Sequence, residues 1–180
     1  FKIGCEKYIT LMGGCSYPGD AKSPIIENDM WNGFPHDGAA PYSSAKRMNI
    51  VMSDAYRKQY NFNSIVLVPG NIYGPYDNFD LNNSHVIPAL IRKYYEAKIN
   101  NLDEVIAWGS GKPERDFIYI ADAVKAIFKA AEIYNSSNII NISSGDAVTI
   151  KELTETIADV VDFKGRINWD TSKPDGQLKK

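Results

Sequence analysis

Ser64-Ile-Val-Leu-Val-Pro-Gly70 is an unbroken apolar run, cut off by Pro69 and Gly70. A short run with no alternating polar residues reads as a strand buried on both faces. Upstream, apolar Ala45, Met48, Met52, Ala55 and Tyr56 recur at three- and four-residue steps, which predicts a helix over 42–60. Earlier still, Lys7-Tyr-Ile-Thr-Leu-Met12 is a β-prone run ending at Gly13-Gly14, and residues 16–41 read as a long Gly/Pro/Asn/Asp loop. Downstream, a polar loop spans 70–84, followed by a helix over 86–98, a strand Glu104-Val-Ile-Ala-Trp108 and the turn Gly109-Ser-Gly-Lys-Pro113. Ile120, Val124, Ile127, Phe128 and Ala131 mark another helical stripe, and Ser137–Ile142 another strand. Thr149 followed by Glu152 has the spacing of a capping box, opening a helix with Ile150, Leu153, Ile157 and Val160 on its apolar face. A short strand over 167–169 closes the pattern. Strands alternating with helices predict a parallel sheet with helices on both faces. In such sheets ligands bind beyond the carboxyl ends of the strands. Chemistry is therefore expected just after Met12, Val68, Trp108 and Ile142.

Composition narrows the function classes. Lys+Arg total 20 and Asp+Glu 22, a formal net charge of -2 in 180 residues. This balance argues against nucleic-acid and membrane-surface partners, which call for clustered positive charge. Cys5 and Cys15 do not make a disulfide scaffold, and with two His and no C-x-x-C no structural zinc or other metal site is expected. No apolar run approaches the roughly 20 residues of a membrane span, and no signal peptide is visible. Reduced thiols without an export signal favour the cytoplasm.

Tyr42-Ser-Ser-Ala-Lys46 sets a phenol and an ammonium four residues apart, on one helix face. A tyrosine with its usual pKa of about 10 is a poor acid–base group at neutral pH, and a nearby cation stabilises its phenolate. Such a pair can pass a proton to or from a sugar hydroxyl or ketone, and the lysine can also donate to a cofactor ribose. Tyr94 and Lys98 share the spacing but sit mid-helix, whereas Tyr42 opens its helix after a loop and a proline. Packing and solvation are the ordinary roles of such pairs.

Five stretches resemble the extended short-chain dehydrogenase/reductase superfamily, in particular its nucleotide-sugar epimerase/dehydratase group. They are Gly14-Cys-Ser-Tyr-Pro18, Pro41-Tyr-Ser-Ser-Ala-Lys-Arg-Met48, Asn71-Ile-Tyr-Gly-Pro-Tyr-Asp-Asn-Phe79, Ser84-His-Val-Ile-Pro-Ala-Leu90 and Trp108-Gly-Ser-Gly-Lys-Pro-Glu-Arg-Asp-Phe117. The ending Trp169-Asp-Thr-Ser-Lys-Pro-Asp-Gly-Gln177 is similar too, and the stretch 77–88 is most like the fucose-synthase branch. The resemblance implies the C-terminal part of a Rossmann-like doubly wound parallel sheet, plus part of a smaller α/β substrate domain. Residues 1–76 and 116–145 would belong to the dinucleotide-binding domain, and 77–115 with 146–180 to the substrate-binding domain. It implies an NADPH-dependent 3,5-epimerase/4-reductase acting on a GDP-4-keto-6-deoxy sugar. Cys15 and His85 would be the two proton-exchanging groups, with Tyr42 as proton donor to the C4 oxygen and Lys46 tuning it. Tyr42, Lys46, Pro69, Gly70, Asn71, Ile72 and His85 would contact NADP, and Lys93, Trp108, Arg115 and Lys173 the nucleotide sugar. Relatives often dimerise through helices such as the one bearing Tyr42, so a homodimer is expected.

Two departures stand against the pattern. The family carries Ser or Thr two residues before the cysteine, where this chain has Gly13. Ser16 and Thr10 have the wrong parity to replace it. The Gly-rich turn that normally holds a dinucleotide's pyrophosphate is also missing. The early strands and the last part of the substrate domain are therefore expected to lie outside these 180 residues, leaving an exposed sheet edge. Two alternatives remain open at this point: a 4-epimerase or 4,6-dehydratase that recycles NAD(P), and a degenerate, non-catalytic subunit. The lack of a clear Asp-Glu pair near Cys15 weighs against a dehydratase.

Overall fold

The computed structural model describes residues 2–179. In chain order the elements are β1 (Lys7–Leu11), α1 (Ala40–Tyr60), β2 (Asn63–Pro69), β3 (Asn71–Tyr73), α2 (Val86–Ile99), β4 (Glu104–Trp108), β5 (Glu114–Tyr119), α3 (Ile120–Ile133), β6 (Ile140–Ile142), β7 (Ala147–Thr149), α4 (Ile150–Val161) and β8 (Arg166–Asp170). They fall into two units. The first runs to Ile72 and resumes over Asp116–Gly145; the second comprises Tyr73–Arg115 and Asp146–Lys179.

In the first unit β2 is central. β1 runs parallel to it in the register Lys7↔Asn63 to Leu11↔Leu67. β6 lies parallel on the other side, Leu67↔Ile140 to Pro69↔Ile142. Residues Ser64 to Pro69 are all buried, as the apolar run predicts. The two-residue period of a strand divides them between two cores. Val66 and Val68 pack with Met12, Tyr17 and Met30, joined by Ile50 of α1. Ile65 and Leu67 pack with Ile118, Ala123 and Ile142, joined by Ala126, Ile127 and Ala130 of α3. A parallel sheet covered on both faces is a Rossmann-like α/β arrangement. β1 is an edge strand among the described residues, with Tyr8 and Leu11 exposed.

Helix α1 turns its apolar stripe outward. Met48, Val51, Met52 and Tyr56 are exposed, whereas Ser43 is fully buried, and Ala45 and Ala55 are exposed as well. The cause is the polar chemistry of its inner face. Ser43 Oγ donates to the Cys15 carbonyl at 2.8 Å and Arg47 Nε to the Ser16 carbonyl at 2.8 Å. Arg57 donates to the Ser64 carbonyl at 2.8 Å, and the hydroxyls of Ser53 and Ser64 meet at 2.7 Å. These side chains satisfy loop and strand groups that would otherwise be stranded by burial. The 16–41 segment is less loose than its composition suggests. Short 3-10 turns form at Glu27–Trp31 and Asp37–Ala39, and buried Tyr17 and Met30 anchor it to the sheet.

In the second unit β4 and β8 pair in parallel, Glu104↔Arg166 to Trp108↔Asp170. Tyr94 of α2 is fully buried, its ring 5.5 Å from Phe163 in an edge-on contact. The Thr149 capping box forms: the Thr149 hydroxyl accepts from Glu152 N at 3.0 Å, and Thr149 N donates to the Glu152 carboxylate at 2.9 Å. Gly165 is pinned by close packing, since a Cβ there would stand 2.7 Å from the Asp103 carbonyl oxygen.

Candidate active site

The loop after β1 and the start of α1 build the first cluster. Gly13 has ordinary extended backbone, φ -127 and ψ 149. Its missing side chain would point between a thiol and a phenol: a Cβ there would lie 3.4 Å from Cys15 Sγ and 3.7 Å from Tyr42 Oη. Cys15 and Tyr42 therefore border the same small space. A 3-10 turn over Gly14–Ser16 carries Cys15, and the buried Ser43 bond to its carbonyl ties that turn to the helix. Tyr42 remains 52% exposed. The Lys46 ammonium lies 5.5 Å from the Tyr42 ring centroid and donates to the Leu11 carbonyl at 3.0 Å. Arg47 braces the same turn, donating to the Gly33 carbonyl at 2.9 Å and lying over the Trp31 ring. Ser16, which has the wrong parity to replace a residue-13 side chain, is itself fully buried.

Tyr94 provides the contrast. Its oxygen is buried without a hydrogen-bond partner among the described residues, and burial pushes its pKa up to about 12. A buried phenol held neutral is a core residue, which separates the two Tyr-x-x-x-Lys sequences on physical grounds.

A second constellation follows β2 and β6, whose ends share an edge of the sheet. Gly70 N donates to the Ile142 carbonyl at 2.8 Å, and Asn71 Nδ2 to the Asp116 carbonyl at 2.7 Å. Pro69, Gly70, Asn71 and Ile72 thus form a braced ledge at the carboxyl end of β2. Asp116 is a residue that sequence reasoning passed over; it sits in a polar-rich strand with no helical or alternating signal to mark it.

The second unit brings Lys93, Trp108 and Lys173 together. Trp108 is 69% exposed at the end of β4, with the Lys93 and Lys173 ammoniums 5.8 Å and 5.6 Å from its ring centroid. Lys93 also donates to the Ile106 carbonyl, and burial lowers its pKa. The turn beyond Trp108 is locked by Asp175, which accepts from Ser110 N at 2.6 Å and Ser110 Oγ at 2.7 Å. Gly109 is required there: at φ +81, a Cβ would come within 2.4 Å of the Asp175 carboxylate. Arg115 donates to the Glu114 carbonyl at 2.7 Å, and burial lowers its pKa. His85 is exposed, immediately before α2, and its side chain makes no capping bond.

A doubly covered parallel sheet with a helix-borne Tyr-x-x-x-Lys pair at its carboxyl edge defines a dehydrogenase-like α/β protein. The chain belongs to the NAD dependent epimerase/dehydratase family, whose sequence pattern matches residues 1–143. It is similar to the probable GDP-L-fucose synthase 1 of Oryza sativa subsp. japonica, 44% identical over 99% of this chain and 55% of that protein. It is 46% identical to the GDP-L-fucose synthase of Sinorhizobium fredii, over 100% of this chain and 57% of the relative. Among solved structures, a GDP-L-fucose synthetase from Naegleria fowleri bound to NADP superposes with a TM-score of 0.89. The identity is 33%, over 99% of this chain and 58% of the other. The chain spans a little over half the length of the curated relatives it matches. Among the described residues no helix is long and apolar enough to cross a membrane.

Proposed function

We propose that this chain carries the catalytic groups of an NADPH-dependent 3,5-epimerase/4-reductase acting on a GDP-4-keto-6-deoxy sugar, as in GDP-L-fucose formation. The observation that carries the reading is the shared space beside Gly13, bordered by Cys15 Sγ and Tyr42 Oη, with Lys46 against the Tyr42 ring. A 4-keto group acidifies the C–H bonds at C3 and C5. Epimerisation needs one group to take a proton and another to return it on the opposite face. A thiol and an imidazole, with ordinary pKa values of about 8.5 and 6.5, suit that exchange near neutrality. We assign it to Cys15 and His85. Tyr42 then protonates the C4 oxygen as the ketone is reduced, and Lys46 favours the phenolate left behind.

The residues present fit the nicotinamide end of a dinucleotide. Gly13 leaves bare backbone at the carboxyl end of β1, beside Cys15 and Tyr42, where a flat ring can approach closely. Tyr42, Lys46 and the ledge of Pro69, Gly70, Asn71 and Ile72 would hold it, with His85 as a further contact. When bound, NADPH supplies the hydride. In the second unit, Lys93, Trp108 and Lys173 offer two cations beside an indole face, a combination suited to a diphosphate and a flat base. Arg115 adds a guanidinium for the same diphosphate.

Two measurements on the intact protein test this. Incubation with the 4-keto sugar in deuterated water should place deuterium at C3 and C5, and Cys15→Ser or His85→Ala should abolish that exchange. Tyr42→Phe should stop NADPH oxidation while leaving the exchange. Isotope exchange without net NADPH consumption in the wild type would instead indicate an epimerase, and neither activity a binding subunit.

A further inference from the structure

Asp116 on β5 reaches two strand-end loops at once. Its Oδ1 accepts from Ser144 N at 3.1 Å and Ser144 Oγ at 3.2 Å, and its Oδ2 accepts from Gly145 N at 3.2 Å. The same carboxylate lies directly against the bare backbone of Gly70, where a Cβ would stand 3.2 Å from Oδ1. The main chain of Asp116 takes the Asn71 amide, while Gly70 N is taken by Ile142 at the end of β6. One residue therefore joins the loop after β6 to the ledge after β2, through both its carboxylate and its carbonyl. Three donors converging on one carboxylate form charge-assisted bonds, stronger than neutral ones.

We propose that Asp116 is a positioning residue for cofactor binding, setting the height of the Gly70-Asn71 ledge from behind without touching the cofactor. The inference rests on the reading that NADPH lies on that ledge. An aspartate does this where an asparagine cannot. Asn presents one acceptor and one NH2, so either the Ser144 or the Gly145 amide would face a donor instead of an acceptor. The ledge would then lose its backing on one side. Ligands held by a preorganised surface are sensitive to such small displacements.

The test is NADPH binding by fluorescence titration, together with steady-state kinetics, on the intact protein carrying Asp116→Asn or Ser144→Ala. Asp116→Asn should raise both the Kd and the KM for NADPH about tenfold, the loss expected when a charged hydrogen-bond partner is removed. Its kcat and sugar KM should stay within about twofold of wild type, a split that general destabilisation would not produce. Ser144→Ala removes only the hydroxyl donor to the Asp116 carboxylate, keeps the backbone amide donor of residue 144 and leaves the charge in place. It should raise the NADPH Kd by a smaller factor, and it carries the test if Asp116→Asn does not fold. Wild-type NADPH affinity in both variants would overturn the inference alone. A wild-type protein that binds no NADPH would overturn the cofactor reading and this inference with it.

Discussion

Gly13 is the residue on which the rate of the proposed reduction turns. Its backbone is extended, so nothing in the local geometry requires glycine, and a Cβ would meet Cys15 and Tyr42 at ordinary contact distances. A serine here would carry its hydroxyl into the space beside Tyr42, where a donor could hold the C4 oxygen. Gly13→Ser is expected to raise the rate of NADPH oxidation about tenfold or more, given what single oxyanion donors contribute. Gly13→Ala should leave that rate unchanged. Both should stabilise the fold by about 0.5 kcal/mol, because a compatible side chain restricts the unfolded chain. Paired kinetic and melting measurements separate the two effects. Asp175 yields a second prediction at this scale. The Ser110 amide and hydroxyl hold its carboxyl below the usual carboxylate range. A depressed folded pKa means its contribution is fully present above the unfolded value of about 3.9 and is lost as pH falls through the folded value. Chemical denaturation at pH 6 and near pH 3 should therefore show a steeper acid loss in wild type than in Asp175→Asn.

At the level of elements, helix α4 owes its start to the Thr149–Glu152 box. The Thr149 groups hold the Glu152 carboxyl below its ordinary pKa, so the cap is made with an ionised partner. Thr149→Ala should cost about 1 kcal/mol, read as a fall in the thermal midpoint, and Thr149→Ser should recover most of it. This cap was legible in the sequence because its signal is local: two residue types at one spacing. The core strands were legible for a similar reason, since β2 and β4 carry apolar runs bounded by Pro or Gly. Strands β3, β5 and β7 were not. Glu-Arg-Asp-Phe-Ile-Tyr in β5 mixes charges with aromatics, and its strand form comes from where the chain is carried rather than from a two-residue pattern. Helix α1 was found by its apolar spacing, but that spacing marks the outer face. The inner face is written in Ser43, Arg47, Ser53 and Arg57, whose partners are backbone groups far along the chain. The candidate site shows the same division. Tyr42 and Lys46 stood out by their spacing and Cys15 only through the family resemblance, whereas Asp116 emerges only once two loops distant in sequence are seen to share it.

For the whole molecule, the outward stripe of α1 is the feature that calls for an explanation. Met48, Val51, Met52 and Tyr56 are all exposed on one helix, and contiguous apolar surface of this kind marks an interaction face. A formal net charge of -2, from 20 cationic and 22 acidic residues, sets up little long-range repulsion between copies. A helix face of this composition can meet itself across a two-fold axis, Met against Met, which is the commonest closed arrangement for soluble chains. The expected occupant is a second copy of the protein. Sedimentation equilibrium should give a dimer for the wild type and a monomer for Val51→Asp combined with Met52→Glu, with the far-ultraviolet circular dichroism unchanged. Among the described residues β1 is an edge strand, with Tyr8 and Leu11 exposed, and such an edge is a rival route to association because an unpaired strand can recruit another. Tyr8→Lys distinguishes the two: it should leave the dimer intact if α1 forms the interface and dissolve it if the strand edge does. A monomeric wild type at micromolar concentration would refute the helix-mediated dimer outright.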